Sequence, residues 1–150
     1  DRDVLRALVQ ARADLNGLNE DGQTPLIVAT LEDDEDTVAL LLQFRIRLDV
    51  ADRSGRTALM IAAQYSHVDI LRQLLVAGAQ TWTRDSSGYT ALHYAGQTGT
   101  ANVVRILVTA GADVNATNSS GLSPIDMADG NPESAEIIEI LQSAGASASE

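Results

Sequence analysis

Few side chains in this sequence are of types that do chemistry. It holds two histidines, His67 and His93, and no cysteine. The histidines lie 26 residues apart, with no serine or carboxylate at the spacing of a nucleophilic triad. Without thiolates, a zinc site would need more donors than these two imidazoles supply. The absence of cysteine also excludes thiol catalysis and a disulfide scaffold. None of the glycines falls in a phosphate-cradling pattern. The reading is therefore no catalytic residue, no metal site and no cofactor.

Two other constellations stand out. The first is the run Glu32, Asp33, Asp34, Glu35 and Asp36. Carboxylates at the start of a helix are favoured by its dipole, although five together repel one another. The run reads as a solvated edge or as a contact for basic groups or a divalent cation, and its spacing is not that of an EF-hand loop. The second constellation is aromatic. Of Phe44, Tyr65, Trp82, Tyr89 and Tyr94, four fall between residues 65 and 94, and Arg53, Arg56 and Arg84 occur in the same region, from 53 to 84. Tyr, Trp and Arg are the residue types that most often anchor protein interfaces. The alternative for Trp82 is that it packs against its own loop, and Tyr94 reads mainly as packing.

The elements that must position these residues follow from a period. Gly22, Gly55, Gly88 and Gly121 are spaced by 33 residues. Thr24, Thr57, Thr90 and Ser123 repeat with them, as do Leu26, Leu59, Leu92 and Ile125, and Ala29, Ala62, Ala95 and Ala128. Within one unit, residues 85–117, Ser87 and Gly88 make a turn and Thr90 is placed to cap a short helix through its hydroxyl. Pro25 and Pro124 suit the first helical position in their units. A turn near Gly99 leads to a second helix with Val103, Val104, Ile106 and Leu107 on its apolar side. Gly111 ends that helix, as Gly78 ends its counterpart.

Such a unit has too little core to stand alone, so neighbours must stack and share one. The chain divides into a half unit at 1–18, units at 19–51, 52–84 and 85–117, and a capping unit at 118–150. In the half unit, Leu5, Leu8 and Val9 align with Val38, Leu41 and Leu42. That half unit is either an N-terminal cap or a unit cut short.

The stretches GQTPLIVA, GRTALMIA, GYTALHYA and GLSPIDMA, with GADVNA at Gly111 to Ala116, closely resemble the ankyrin-repeat family. The resemblance covers essentially the whole chain. It implies an all-α solenoid of stacked helix–turn–helix units with projecting, β-hairpin-like finger loops. It also implies binding through the fingers and the concave side, no catalytic activity, and structural roles for His93 and His67. Departures from the pattern are expected to matter. Arg12 and Arg45 stand where Gly78 and Gly111 end later helices, and a bulky residue in a left-handed cap would cost about 1 kcal/mol. The last unit holds one extra residue within DGNPESAE, where Gly130 and Pro132 mark a longer turn. Trp82 replaces the Asn16, Asp49 and Asn115 of the other units, so its finger should be held differently.

Length and charge bound the partners. One domain of 150 residues carries a net charge of −11, which disfavours nucleic acid and anionic lipid. No apolar run approaches the roughly 20 residues needed to cross a bilayer. The acidity is uneven, however: residues 1–51 carry five arginines against eleven carboxylates, 52–84 four against two, and 85–150 one against eight. The central unit is thus locally basic. The expected function is non-catalytic binding of a protein or peptide partner by a monomer, with a cytoplasmic location as the default. The expected anchors are Trp82, Tyr89 and Tyr65, with Arg53, Arg56 and Arg84 adding charge. The alternatives are an inhibitor or immunity-type protein that caps a partner's active site with its acidic edge, the targeting or regulatory segment of a longer enzyme, and a structural spacer.

Overall fold

The computed structural model describes residues 14–147. Leu5, Leu8, Val9 and Arg12 lie outside the described residues. Within them the secondary structure is helical: α1 (Pro25–Leu31), α2 (Glu35–Leu41), α3 (Ala58–Tyr65), α4 (Val68–Ala77), α5 (Ala91–Thr98), α6 (Ala101–Thr109), a 3-10 turn (Asp126–Ala128) and α7 (Ser134–Ser143). The helices form antiparallel pairs, and each pair stacks on the next. The first helices α1, α3, α5 and the 3-10 turn make one row, and the second helices α2, α4, α6 and α7 make the other.

The periodic apolar residues hold this stack together. Leu26, Leu59, Leu92 and Ile125 are buried, as are the four periodic alanines. On the second row Leu41, Leu74, Leu107 and Leu141 are fully buried at equivalent positions. Small residues between the rows allow close approach. A Cβ at Gly96 would lie only 2.5 Å from the Pro124 carbonyl oxygen, so α5 meets the last unit backbone to backbone.

Capping follows the hydroxyl pattern in the first three units. Thr24 Oγ1 accepts the Ile27 N–H at 3.2 Å and Thr57 Oγ1 accepts the Met60 N–H at 3.4 Å. Thr90 keeps its expected place at the head of α5, in a capping box that His93 completes. Its hydroxyl lies 2.9 Å from His93 Nδ1, which also accepts the Thr90 N–H at 3.1 Å. A ring nitrogen that accepts an N–H carries no proton itself, so Nε2–H donates to the Leu122 carbonyl at 3.0 Å. His93 therefore joins the start of α5 to the following loop. Burial, the main influence on it, lowers its pKa and keeps it neutral.

The last unit also departs from expectation, because its first helix is reduced to the 3-10 turn. Ser123 donates through both its N–H and its hydroxyl to Asp126 Oδ2, at 2.8 and 2.6 Å. Past this turn the chain bends at Gly130, whose φ is +83°. The longer turn puts Asn131 in a buried position, where Nδ2 donates to the carbonyls of Gly96 and Gly99, both at 3.0 Å. Glu133 then accepts the Ala101 N–H at 2.7 Å, capping the start of α6 from the neighbouring unit.

Arg45 is not forced into a left-handed conformation. Helix α2 stops at Leu41, whereas α4 continues to Ala77 and ends on left-handed Gly78. The strain is avoided by making the helix shorter. Gly111, by contrast, takes a φ of +82° just after α6, as its position suggested.

Candidate functional site

The projecting loops contain no strand among the described residues; each is a tight turn closed by one repeated device. Asn19, Asp52, Asp85 and Asn118 each stand three residues before a turn glycine. In every case Oδ1 accepts two backbone N–H groups, from the residues two and four positions later, at 2.8 to 3.0 Å. The same residue's N–H donates to the carbonyl four residues on. Asp and Asn suit this role because a short side-chain oxygen can close a turn over its own backbone. These four residues were missed in the motif reading, although they repeat at the 33-residue period. Adjacent loops are tied together where Ser86 N–H donates to Ser54 O at 3.1 Å and Ser119 N–H to Ser87 O at 2.9 Å. At Gly55, with φ +83°, a Cβ would lie 2.6 Å from Ser86 N, so the side-chain-free turn is what lets the second loop touch the third.

A second periodic device works at the base of the loops. Asn16 Oδ1 accepts the Arg47 N–H at 2.7 Å, Asp49 Oδ1 the Gln80 N–H at 2.9 Å, and Asn115 Oδ1 the Ser147 N–H at 3.0 Å. Each bond crosses to the following loop. Trp82 occupies the equivalent position, and an indole offers no acceptor for such a bond. The loop carrying Trp82 thus lacks this tie, and the ring is 67% exposed.

The structure divides the six expected anchors among several places. Arg56, Arg84 and Tyr89 gather where the second and third loops meet. Arg56 binds Asp52 through Nε at 3.1 Å and Nη2 at 3.0 Å, and reaches Gln64 Oε1 at 3.4 Å. Arg84 donates to the carbonyls of Gly88 and Thr117, spanning to the next loop. Tyr89 is half-buried, with its ring 5.5 Å from His93 and 5.4 Å from Tyr94. Tyr94 donates its hydroxyl to Asp85 Oδ2 at 2.7 Å; burial first, and this bond next, raise its pKa. Two of the three expected arginines are therefore already engaged within the chain. Arg53 is exposed, and its stem covers Gly22 of the preceding loop.

Tyr65 is not part of that group. It lies at the far end of α3, about 12 Å along the helix from its loop. It is 53% exposed and stacks on His67 with centroids 5.9 Å apart. His67 Nδ1 in turn lies 2.9 Å from Asp33 Oδ1. Tyr65 thus borders the acidic run. Within that run Asp34 caps α2, accepting the Thr37 N–H at 2.9 Å and its hydroxyl at 2.6 Å. These bonds to Thr37 lower the Asp34 pKa. Glu32, Asp33, Glu35 and Asp36 are exposed. Among the described residues no three His, Asp or Glu side chains converge in a group that could hold a metal ion. Nor is any described helix long and apolar enough to cross a membrane.

A family model described as Ankyrin repeats (3 copies) matches residues 1–85 and, overlapping them, residues 70–149. No curated protein matches the chain.

Proposed function

This chain belongs to the ankyrin-repeat family, whose repeats are generally non-catalytic protein–protein interaction modules, and on that premise we propose that it binds a protein partner through the concave and loop side of its two middle units. The observation that carries this reading is the exposure of Trp82 on a scaffold whose neighbouring loops are each pinned by two side-chain bonds. A surface held in advance loses little conformational freedom on binding, so a few anchors suffice. Trp82 supplies an exposed indole where the repeat normally spends a structural Asn or Asp. Tyr89 presents the edge of a packed ring, and Arg53 supplies a charge with no carboxylate partner among the described residues. Arg56 and Arg84 set the shape of the surface and give it positive charge.

The test is affinity capture with mass spectrometry, comparing the wild type with the Trp82→Ala/Tyr89→Ala variant, with folding followed by circular dichroism. The variant should keep its helicity and lose the captured partner. An unchanged partner on a folded variant would remove this surface.

A second reading is favoured by the exposure of Glu32, Asp33, Glu35 and Asp36 on one turn beside Tyr65: an inhibitor-type contact through the acidic edge. Changing these carboxylates to amides would then reduce both affinity and its salt dependence. Under the first reading the same change leaves affinity nearly intact.

A further inference from the structure

The row of second helices carries a feature that concave-side binding does not use. Between α4 and α6, on the outer face, runs a groove of about 480 Å³. Leu75 and Ile106 give it an apolar floor and Val76 an apolar rim. Val76 is 91% exposed, far beyond what stacking requires of a helix with three fully buried apolar residues on its other side.

Arg72 and Arg105 line the groove from equivalent positions one period apart. Packed helices lie about 10 Å apart, so equivalent positions on α4 and α6 bring two arginines to the same groove. Arg105 is paired with Glu136 of α7 at 2.8 Å, an exposed pair that solvent screens. Arg72 is exposed and has no carboxylate partner among the described residues. Among the described residues no carboxylate lines the groove beside these two arginines.

We infer that this outer groove is a second docking site, and that its occupant is an acidic amphipathic helix of a partner protein. The shape fits, because a channel between two parallel helices accepts a third helix through apolar residues spaced three and four apart. The charge fits as well: carboxylates flanking the apolar stripe would meet Arg72 and Arg105. A second copy of this chain fits poorly. A two-fold contact through the groove would set the two arginines against their own copies. Nucleic acid fits no better, since two arginines neutralise too few phosphates on a chain of net charge −11.

The probe is a fluorescein-labelled helical peptide with leucines at positions i, i+3, i+4 and i+7 and glutamates beside them. A control peptide carries lysines in place of the glutamates. Fluorescence anisotropy should report saturable binding of the glutamate peptide to the full chain and none of the lysine peptide. Arg72→Glu and Val76→Asp, both at exposed positions, should keep the circular dichroism of the wild type. Each should weaken binding about tenfold, the loss expected for one charge-assisted or apolar anchor. Amide chemical-shift changes should centre on residues 72–76 and 102–110. Several results would overturn the inference: no binding of the glutamate peptide at about 1 mM, equal binding of both peptides, or shifts on the concave side. Sedimentation showing a dimer that Val76→Asp dissolves would likewise overturn it, in favour of self-association.

Discussion

The two ends of each helix pair are built on different plans. At the loop end the same device occurs four times, with Asn19, Asp52, Asp85 and Asn118 folding back over their turns and a left-handed glycine following each. At the opposite end, where one helix turns into the next, each turn is solved separately. Asp33 and Ser66 are left-handed without being glycine, while Gly99, at the equivalent position, is not left-handed at all. The first turn pairs with the second through Asp33 and His67, and the third is sealed by Asn131 from the last unit. Repetition at one end gives a regular, preorganised surface. Individual solutions at the other end set how each unit meets its neighbour, and there a change at one position has no counterpart elsewhere.

The sharpest way to break the regular end is at the glycines. Gly55→Val should destabilise the fold by about 3 kcal/mol, from a strained φ together with a clash against Ser86 N. Gly121→Val has the same φ problem with open space around it, so about 1 to 2 kcal/mol is expected. Urea midpoints of the pair would separate contact between loops from conformational strain alone. Equal losses would show that loop-to-loop contact contributes nothing.

At the irregular end, Asn131→Ala strands two buried carbonyls and should cost about 2 kcal/mol. Its urea midpoint should fall well below that of Asp33→Asn, which tolerates the left-handed backbone, changes only the carboxylate beside His67 and costs less than about 1 kcal/mol. Away from both ends, Gln73 keeps its buried Oε1 without a hydrogen-bond partner. Gln73→Leu should therefore raise stability by about 1 kcal/mol in thermal or urea unfolding.

The smallest effect is one of pH. His93 has a pKa lowered in the folded state, mainly by burial, so the unfolded chain binds the proton more readily. The stability that this provides is complete above the unfolded value near 6.5 and is lost as pH falls below it. The urea midpoint should decline between about pH 7 and pH 5, and His93→Gln should flatten that decline. Asp34, whose folded pKa is lowered, acts in a separate window: its contribution is present above the ordinary carboxylate value of 3.8 and is lost as pH falls further.

What could be read from the sequence was whatever recurs. Gly22 to Gly121, the capping hydroxyls and the buried Leu26 row announced the stacked helices because one physical requirement repeats four times. The loss of the tie at Trp82 was equally legible, since an indole stands among Asn and Asp. Asn131 and Glu133 were not legible, because they reach across units to Gly96, Gly99 and Ala101 from an insertion that occurs once. The place of Tyr65, by contrast, was legible, since the period puts it at the end of a first helix and away from the loop that carries Trp82 and Tyr89. Arg56 and Arg84 looked free for binding, but residue type alone does not show that Asp52 and Thr117 engage them.

The central claim is that Trp82 gives up a structural tie in order to recognise a partner. Trp82→Asn tests it in a single protein, with the urea midpoint and the captured partner measured side by side. Restoring the tie that Asp49 makes to Gln80 and Asn115 makes to Ser147 should raise stability by about 1 kcal/mol while the partner is lost. A variant that gains no stability, or that gains it and still retains the partner, would contradict the account.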